Sequence, residues 1–174
     1  SLNLADTYAF TGTVTGTPTG LNVADQWHVS PAITNISANT DTVVTNWVQD
    51  AYGEQGRIST MSESSGIFTF PSTGIYLVEL AFQFYYQSAA SNYNYTRLQI
   101  TTNNSTYNTR SETVTFTRVA ENYLTSSPAS AIIDVTDTSN VKIRTVAHVR
   151  DGGTDLEGGS IVRSYIKFLR LGDT

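Results

Sequence analysis

Residues 65–86 read SGIFTFPSTGIYLVELAFQFYY and contain the densest run of large apolar side chains in the sequence. The pattern predicts a β-hairpin, two strands joined by a turn at residues 71–74, where proline fixes φ and glycine accepts a positive φ. Side chains alternate between the two faces of a strand, so the second strand sends one set into a core. That predicted core set is Tyr76, Val78, Leu80, Phe82, Phe84 and Tyr86.

The opposite face of the second strand is also largely apolar. It carries Ile75, Leu77, Glu79, Ala81, Gln83 and Tyr85. A strand that is apolar on both faces is typically buried on both. We therefore expect this second face to pack inside a larger sheet system or against a partner chain.

Composition narrows the class of protein. The 174 residues carry a net charge of -5 with only 10 Lys and Arg, too few for a phosphate-binding surface, so no nucleic-acid partner is expected. Charged residues make up 14%, below the usual quarter, while Thr, Ser and Asn are abundant, as in many extracellular and virion proteins.

The absence of cysteine excludes disulfides and thiolate metal sites. No apolar run is long enough for a membrane helix and no signal pattern opens the chain, so neither membrane insertion nor ordinary secretion is expected.

The rest of the chain predicts an all-β fold. Apolar residues do not repeat at helical spacing, and roughly eight to ten short strands alternate with turns, which indicates a sandwich or jelly roll. Residues 131–135 and 141–146 are predicted to pair as a hairpin. Residues 1–21 have few apolar residues on one face, and glycines interrupt them, so we interpret this segment as an arm or linker. Residues 22–174 are then the jelly-roll domain. An edge strand is the alternative for residues 1–21.

Little in the sequence points to catalysis. Hydroxyl groups are plentiful, but there is no nucleophile motif, and His28 and His148 lie far apart in the sequence. We interpret both histidines as strand residues with local hydrogen bonds. The prediction is that the chain is not an enzyme and has no catalytic or cofactor-binding residues, although a carboxylate pair that meets only in space would leave no local pattern.

Asp151, Asp155 and Glu157 lie in one glycine-rich segment and are candidate calcium ligands, because carboxylate oxygens on a flexible loop suit that ion. Their spacing does not match an EF-hand loop. The favoured interpretation is a solvated acidic turn without metal.

Tyrosine is concentrated in and after the central strand, at Tyr85, Tyr86, Tyr93, Tyr95 and Tyr107. Exposed tyrosines offer rigid, amphipathic contact area, so a glycan or a protein on a host surface is a candidate partner. The alternative, which we favour, is that most of them pack against neighbouring strands or partner chains.

The spacing Gly66-x-Phe68-x-x-x-x-x-Gly74-x-Tyr76, followed by alternating apolar residues, resembles the signature of the complement one-q globular heads and their tumour-necrosis-factor relatives. Further segments are similar to strands of those domains in the same order: residues 41–46, 129–135, 141–143 and 165–171. The resemblance spans about residues 41–171.

This resemblance implies a ten-strand jelly roll that assembles as a homotrimer around a threefold axis. Position by position, it places Phe68 and Tyr76 in the core of each protomer and Leu77 and Tyr165 near the axis. Glu79 and Lys167 depart from the family pattern, which usually has an apolar residue and a glycine there. A Glu79 near the axis needs a partner such as Lys167 or an arginine, and the predicted trimer interface is Leu77, Glu79, Tyr165 and Lys167.

Two classes of function follow. The first is a virion structural protein, most naturally of a bacteriophage, exposed on the virion surface. It would be either a capsid decoration protein, whose N-terminal arm binds other virion proteins, or a fibre tip, in which the arm continues from an upstream shaft. The alternative is a secreted or cell-surface trimeric ligand of the complement or cytokine type.

Overall fold

Short runs of β-branched and aromatic residues form twelve β-strands in the computed structural model, which describes residues 21–49, 57–86, 93–116 and 123–174. Among these residues there is no helix. Apart from Leu21, the predicted arm at residues 1–21 lies outside the described residues. The strands are β1 (Ala24–Val29), β2 (Asp41–Val43), β3 (Trp47–Gln49), β4 (Ser62–Ser64), β5 (Ile67–Thr69), β6 (Gly74–Tyr86), β7 (Asn94–Thr101), β8 (Asn108–Thr115), β9 (Tyr123–Val135), β10 (Lys142–Val149), β11 (Thr154–Leu156) and β12 (Tyr165–Gly172).

The strands form two antiparallel sheets, so the predicted all-β architecture is confirmed. In the first sheet the order is β9, β6, β12, β1 and β3, and β11 lies beside the end of β6 next to β12. In the second sheet the order is β4, β5, β10, β7 and β8, and β2 pairs with the end of β10. The apolar core lies between the two sheets.

The predicted hairpin at residues 65–86 is wrong, because its two strands lie in different sheets. β5 pairs with β4 and β10, whereas β6 pairs with β9, β12 and β11. The turn at residues 71–74 is therefore a corner that carries the chain across the core. Gly74 has φ +141°, and a Cβ there would lie 2.6 Å from the carbonyl oxygen of Gly172, so the corner requires glycine.

The second predicted hairpin is wrong for the same reason: β9 pairs with β6, and β10 pairs with β7, β5 and β2. The turn between β9 and β10 is organised by the carboxylate of Asp137, which accepts bonds from the N–H of Ser139 (2.8 Å), the hydroxyl of Ser139 (2.5 Å) and the side chain of Asn140 (2.6 Å). These bonds, those from Ser139 above all, hold the pKa of Asp137 below its usual value.

β6 organises the core. It runs for 13 residues, pairs with β9 along its whole length and is covered on its other edge by β12 and β11. The structure buries the five residues assigned to the core, Phe68, Tyr76, Val78, Leu80 and Phe82, almost completely. The ring of Phe68 lies 5.5 Å from Trp27, 5.6 Å from Trp47 and 5.2 Å from Phe168, measured between ring centroids.

A buried carboxylate, which the sequence did not reveal, ties three segments together at one edge of the core. Asp25 accepts hydrogen bonds from the indole of Trp27 (2.8 Å), the amide side chain of Gln49 (2.9 Å) and the backbone N–H of Met61 (2.8 Å). The hydroxyl of Thr60 lies 3.2 Å away. Asp25 therefore joins β1 to β3 and to the segment that leads into β4.

Candidate functional site

The outer face of the first sheet, the side turned away from the core, carries a row of apolar residues that are half-buried or exposed. Strand register aligns Ile132 of β9, Leu77 of β6, Leu169 of β12 and Ala24 of β1 side by side, and we call these four residues the apolar row. Ile132 is 69% exposed and Leu77 is half-buried. An apolar row across four strands is typical of a surface that is covered by a partner.

A polar row lies beside the apolar row. It consists of Ser130, Glu79, Lys167 and Gln26, with Glu79 directly opposite Lys167. Glu79 is exposed, and the ammonium of Lys167 lies 4.7 Å from the centroid of the Tyr165 ring. A cavity of about 310 Å³ opens next to Glu79 and Tyr165.

The structure thus brings all four predicted interface residues, Leu77, Glu79, Tyr165 and Lys167, to one face. The role of these residues in a trimer interface stays a prediction. Lys167 is placed to compensate the charge of Glu79 if this face is covered, since cross-strand neighbours lie within side-chain reach of each other.

The three calcium candidates do not converge. Asp155 is buried in β11, where it accepts a bond from the backbone N–H of Asn35 (2.7 Å), and Glu157 pairs with Arg163 (3.0 Å). The predicted acidic loop therefore contains a buried strand, which corrects the interpretation of the whole segment as a solvated turn. In the part of the chain that the structure describes, His, Asp and Glu side chains nowhere form a group of three that could hold a metal ion.

The outer face of the second sheet carries a cluster of aromatic rings and guanidinium groups. The ring of Tyr95 meets those of Tyr93 and His148 edge-on, at centroid distances of 5.1 and 5.6 Å. Arg97 Cζ lies 4.7 Å from the Tyr95 centroid. Arg150 donates to the hydroxyl of Tyr93 (3.0 Å), and this bond raises the pKa of Arg150.

Charged residues complete this cluster. Arg97 forms ion pairs with both Asp41 and Glu112, and Nδ1 of His148 lies 2.8 Å from Oδ1 of Asp41. His148 is a strand residue, as interpreted from the sequence, but its partner Asp41 comes from β2, 107 residues away in the chain. We call six residues the tyrosine platform: Tyr93, Tyr95, Arg97, His148, Asp41 and Glu112.

The remaining tyrosines differ in their surroundings. Tyr86 is buried, as the alternation along β6 predicts, so it is not an exposed contact residue, and Tyr85 is half-buried on the outer face of the first sheet. Tyr107 lies at the other end of the second sheet, with Arg144 Cζ 4.3 Å from its ring centroid. Burial raises the pKa of the Tyr107 hydroxyl, against the opposing effect of the Arg144 charge.

His28 is buried in β1.

In the part of the chain that the structure describes, no helix is long and apolar enough to cross a membrane.

No protein-family model matches the sequence. No curated protein matches it either.

Solved structures do match the fold. The Eiger TNF of S. frugiperda superposes with a TM-score of 0.64 at 15% identity, over 89% of this chain and 96% of that one. Murine APRIL superposes with a TM-score of 0.62 in its structure at pH 5.0, at 11% identity over 86% of this chain and 98% of that one. Its structure at pH 8.5 gives 0.60 at 12% identity, over the same shares of each chain. The chain therefore has the jelly-roll fold of these tumour-necrosis-factor-like proteins.

Proposed function

We propose that the chain is a homotrimeric, non-enzymatic module displayed on a virion surface, as a capsid decoration protein or a fibre tip. The observation that carries the trimer is the outer face of the first sheet. There the apolar row leaves Ile132 largely exposed in the single chain.

A second and third copy of the chain are the occupants that best fit this face. β6 is largely apolar on both sides, and its outer side is only partly buried within the protomer. The sequence resemblance and the fold both point to an assembly in which this sheet faces a threefold axis. Glu79 would be costly to bury alone, but Lys167 lies opposite it in the same face, so the pair enters the interface without net charge.

Ile132→Asp is expected to convert the trimer to monomers. The substitution removes an apolar contact from each interface and adds a carboxylate that must be desolvated, so association should weaken by about tenfold or more per interface. Sedimentation velocity at micromolar concentration measures the change.

Ile161→Asp is the matched control, because Ile161 is 64% exposed, close to the 69% of Ile132, but lies in the loop before β12. This control variant should remain trimeric. A wild-type chain that sediments as a stable monomer would contradict the proposal.

The virion setting is supported by composition. The chain is rich in Thr, Ser and Asn, has few charges and no cysteine, and begins with a Thr- and Gly-rich segment suited to lie along another protein. This segment would attach the jelly-roll domain to other virion proteins.

Deleting residues 1–21 is therefore expected to abolish incorporation into particles while the domain stays folded and trimeric. Immunoblots of purified particles measure incorporation, and thermal unfolding with sedimentation checks the domain. Particles that take up the truncated chain at the wild-type level would rule out the attachment role.

A secreted trimeric ligand is the second candidate, favoured by the fold similarity to the Eiger TNF and APRIL. Mass spectrometry of particles purified from the source organism separates the two candidates. A virion protein is expected in those particles at a fixed ratio to the other coat proteins, whereas a ligand is expected in the medium and absent from them.

A further inference from the structure

We propose that the tyrosine platform binds a neutral saccharide on the outer face of the second sheet. This inference rests on the proposed function, because it names the partner class of the same displayed module. The proposed saccharide binding depends on contacts within one protomer, so an experiment can disprove it and still find that the chain is a homotrimer.

The platform lies on the side of the sandwich opposite the apolar row. β7 is central to the platform: it supplies Tyr95 and Arg97, whose neighbours come from β10 and β8. If the first sheet faces the threefold axis, the second sheet faces outward. A trimer would then present three copies of the platform to a surface.

The aromatic part of the platform suits the C–H face of a sugar ring. The rings of Tyr93 and His148 stand edge-on to Tyr95, so apolar ring edges and faces lie together in a half-buried surface. Tyrosine offers this area at low cost in conformational entropy, and its hydroxyl can bond to a ligand.

The carboxylates of the platform can accept hydrogen bonds from the hydroxyl groups of a sugar. Both contacts that the structure gives Asp41 use Oδ1, and the one that it gives Glu112 uses Oε2. The second oxygen of each carboxylate therefore remains able to accept a bond from a ligand hydroxyl. The two side chains are 47% and 40% exposed, so a ligand can reach them.

The balance of charge selects a neutral ligand. The guanidinium of Arg97 is paired with the carboxylates of both Asp41 and Glu112, so its charge is already compensated and does not favour an anionic ligand. Arg97 also holds both carboxylates in place before a ligand arrives, which lowers the entropy lost on binding.

Three platforms on one trimer would act together on a surface coated with the same sugar. Linked sites commonly raise apparent affinity by about 10² to 10⁴ over a single site. Binding to an immobilised glycan should therefore be much tighter than binding to the free oligosaccharide.

An array of immobilised neutral and sialylated oligosaccharides tests the proposal with the full-length chain. We expect at least one neutral oligosaccharide to bind, with little dependence on salt because the ligand carries no charge. Tyr95→Ala should weaken that binding by about tenfold or more, and so should Asp41→Asn, which keeps the side-chain shape. Asp41→Asn guards against a loss that is due only to misfolding.

Tyr107→Ala is the matched control, because Tyr107 also stacks under an arginine but lies about 20 Å away along the sheet. It should bind as the wild type does. The proposal is overturned if no oligosaccharide binds, if only sialylated ones bind, or if Tyr107→Ala is as defective as Tyr95→Ala. Sedimentation of the same samples shows independently whether the trimer is present.

Discussion

Phe68→Ala is expected to lower the free energy of unfolding by about 4 kcal/mol, within the range seen when a buried Phe is truncated. Phe68 is fully buried, and its ring contacts those of Trp27, Trp47 and Phe168, which reach it from the opposite sheet. The cavity left by alanine would lie where the two sheets meet, so neighbouring side chains could close it only by moving a sheet. Urea unfolding at a fixed protein concentration measures the loss.

Phe116→Ala is the matched control, since Phe116 is an exposed residue just after β8. Its effect should stay within about 0.5 kcal/mol. Equal losses for the two variants would show that Phe68 is not part of the central core.

Asp25→Ala should be as damaging, lowering the free energy of unfolding by about 4 kcal/mol, because two hydrogen-bond donors lose their acceptor. The substitution leaves the backbone N–H of Met61 and the indole N–H of Trp27 without their acceptor, and an unsatisfied buried donor costs about 1–3 kcal/mol. It also releases Gln49, so β3 loses a link to β1. Unfolding in urea, with amide hydrogen exchange at Met61, should show both the global loss and the local opening.

Two further variants calibrate the result. Asp25→Asn keeps one acceptor oxygen but turns an amide N–H₂ toward the remaining donors, so it should lose about 2 kcal/mol. Asp173→Ala removes an exposed carboxylate that pairs with Arg170, and a surface pair of this kind contributes about 0–1 kcal/mol. A loss for Asp25→Ala no greater than that of Asp173→Ala would contradict a structural role for the buried carboxylate.

The sequence predicts which face of a strand is buried, but it does not predict which strands pair with each other. Alternation along β6 correctly separates Tyr76, Val78, Leu80 and Phe82 from Leu77 and Glu79, because the period of a strand is fixed by its backbone. The turn residues at 71–74 predict a hairpin, but the same residues also form a corner between two sheets, as they do here. What decides between them is where β9 and β10 lie, and both come much later in the chain.

The two candidate surfaces also differ in how far the sequence predicts them. Leu77, Glu79, Tyr165 and Lys167 could be grouped in advance through a family resemblance, and strand register places them on one face. The tyrosine platform could be predicted only as a local excess of tyrosine. Asp41, Arg97 and His148 come from three strands far apart in the sequence, and no spacing pattern records that they meet.

By itself, the sequence determined the class of the fold, the side chains that enter the core and the absence of disulfides, because these depend on residue type and on a period of two. Only the tertiary structure decided which strands pair, that Asp25 is a buried acceptor and that Asp155 is held by Asn35 rather than exposed with its acidic neighbours. These features depend on contacts between distant segments. Such contacts form when the two sheets close over the core, and they leave no local pattern in the chain.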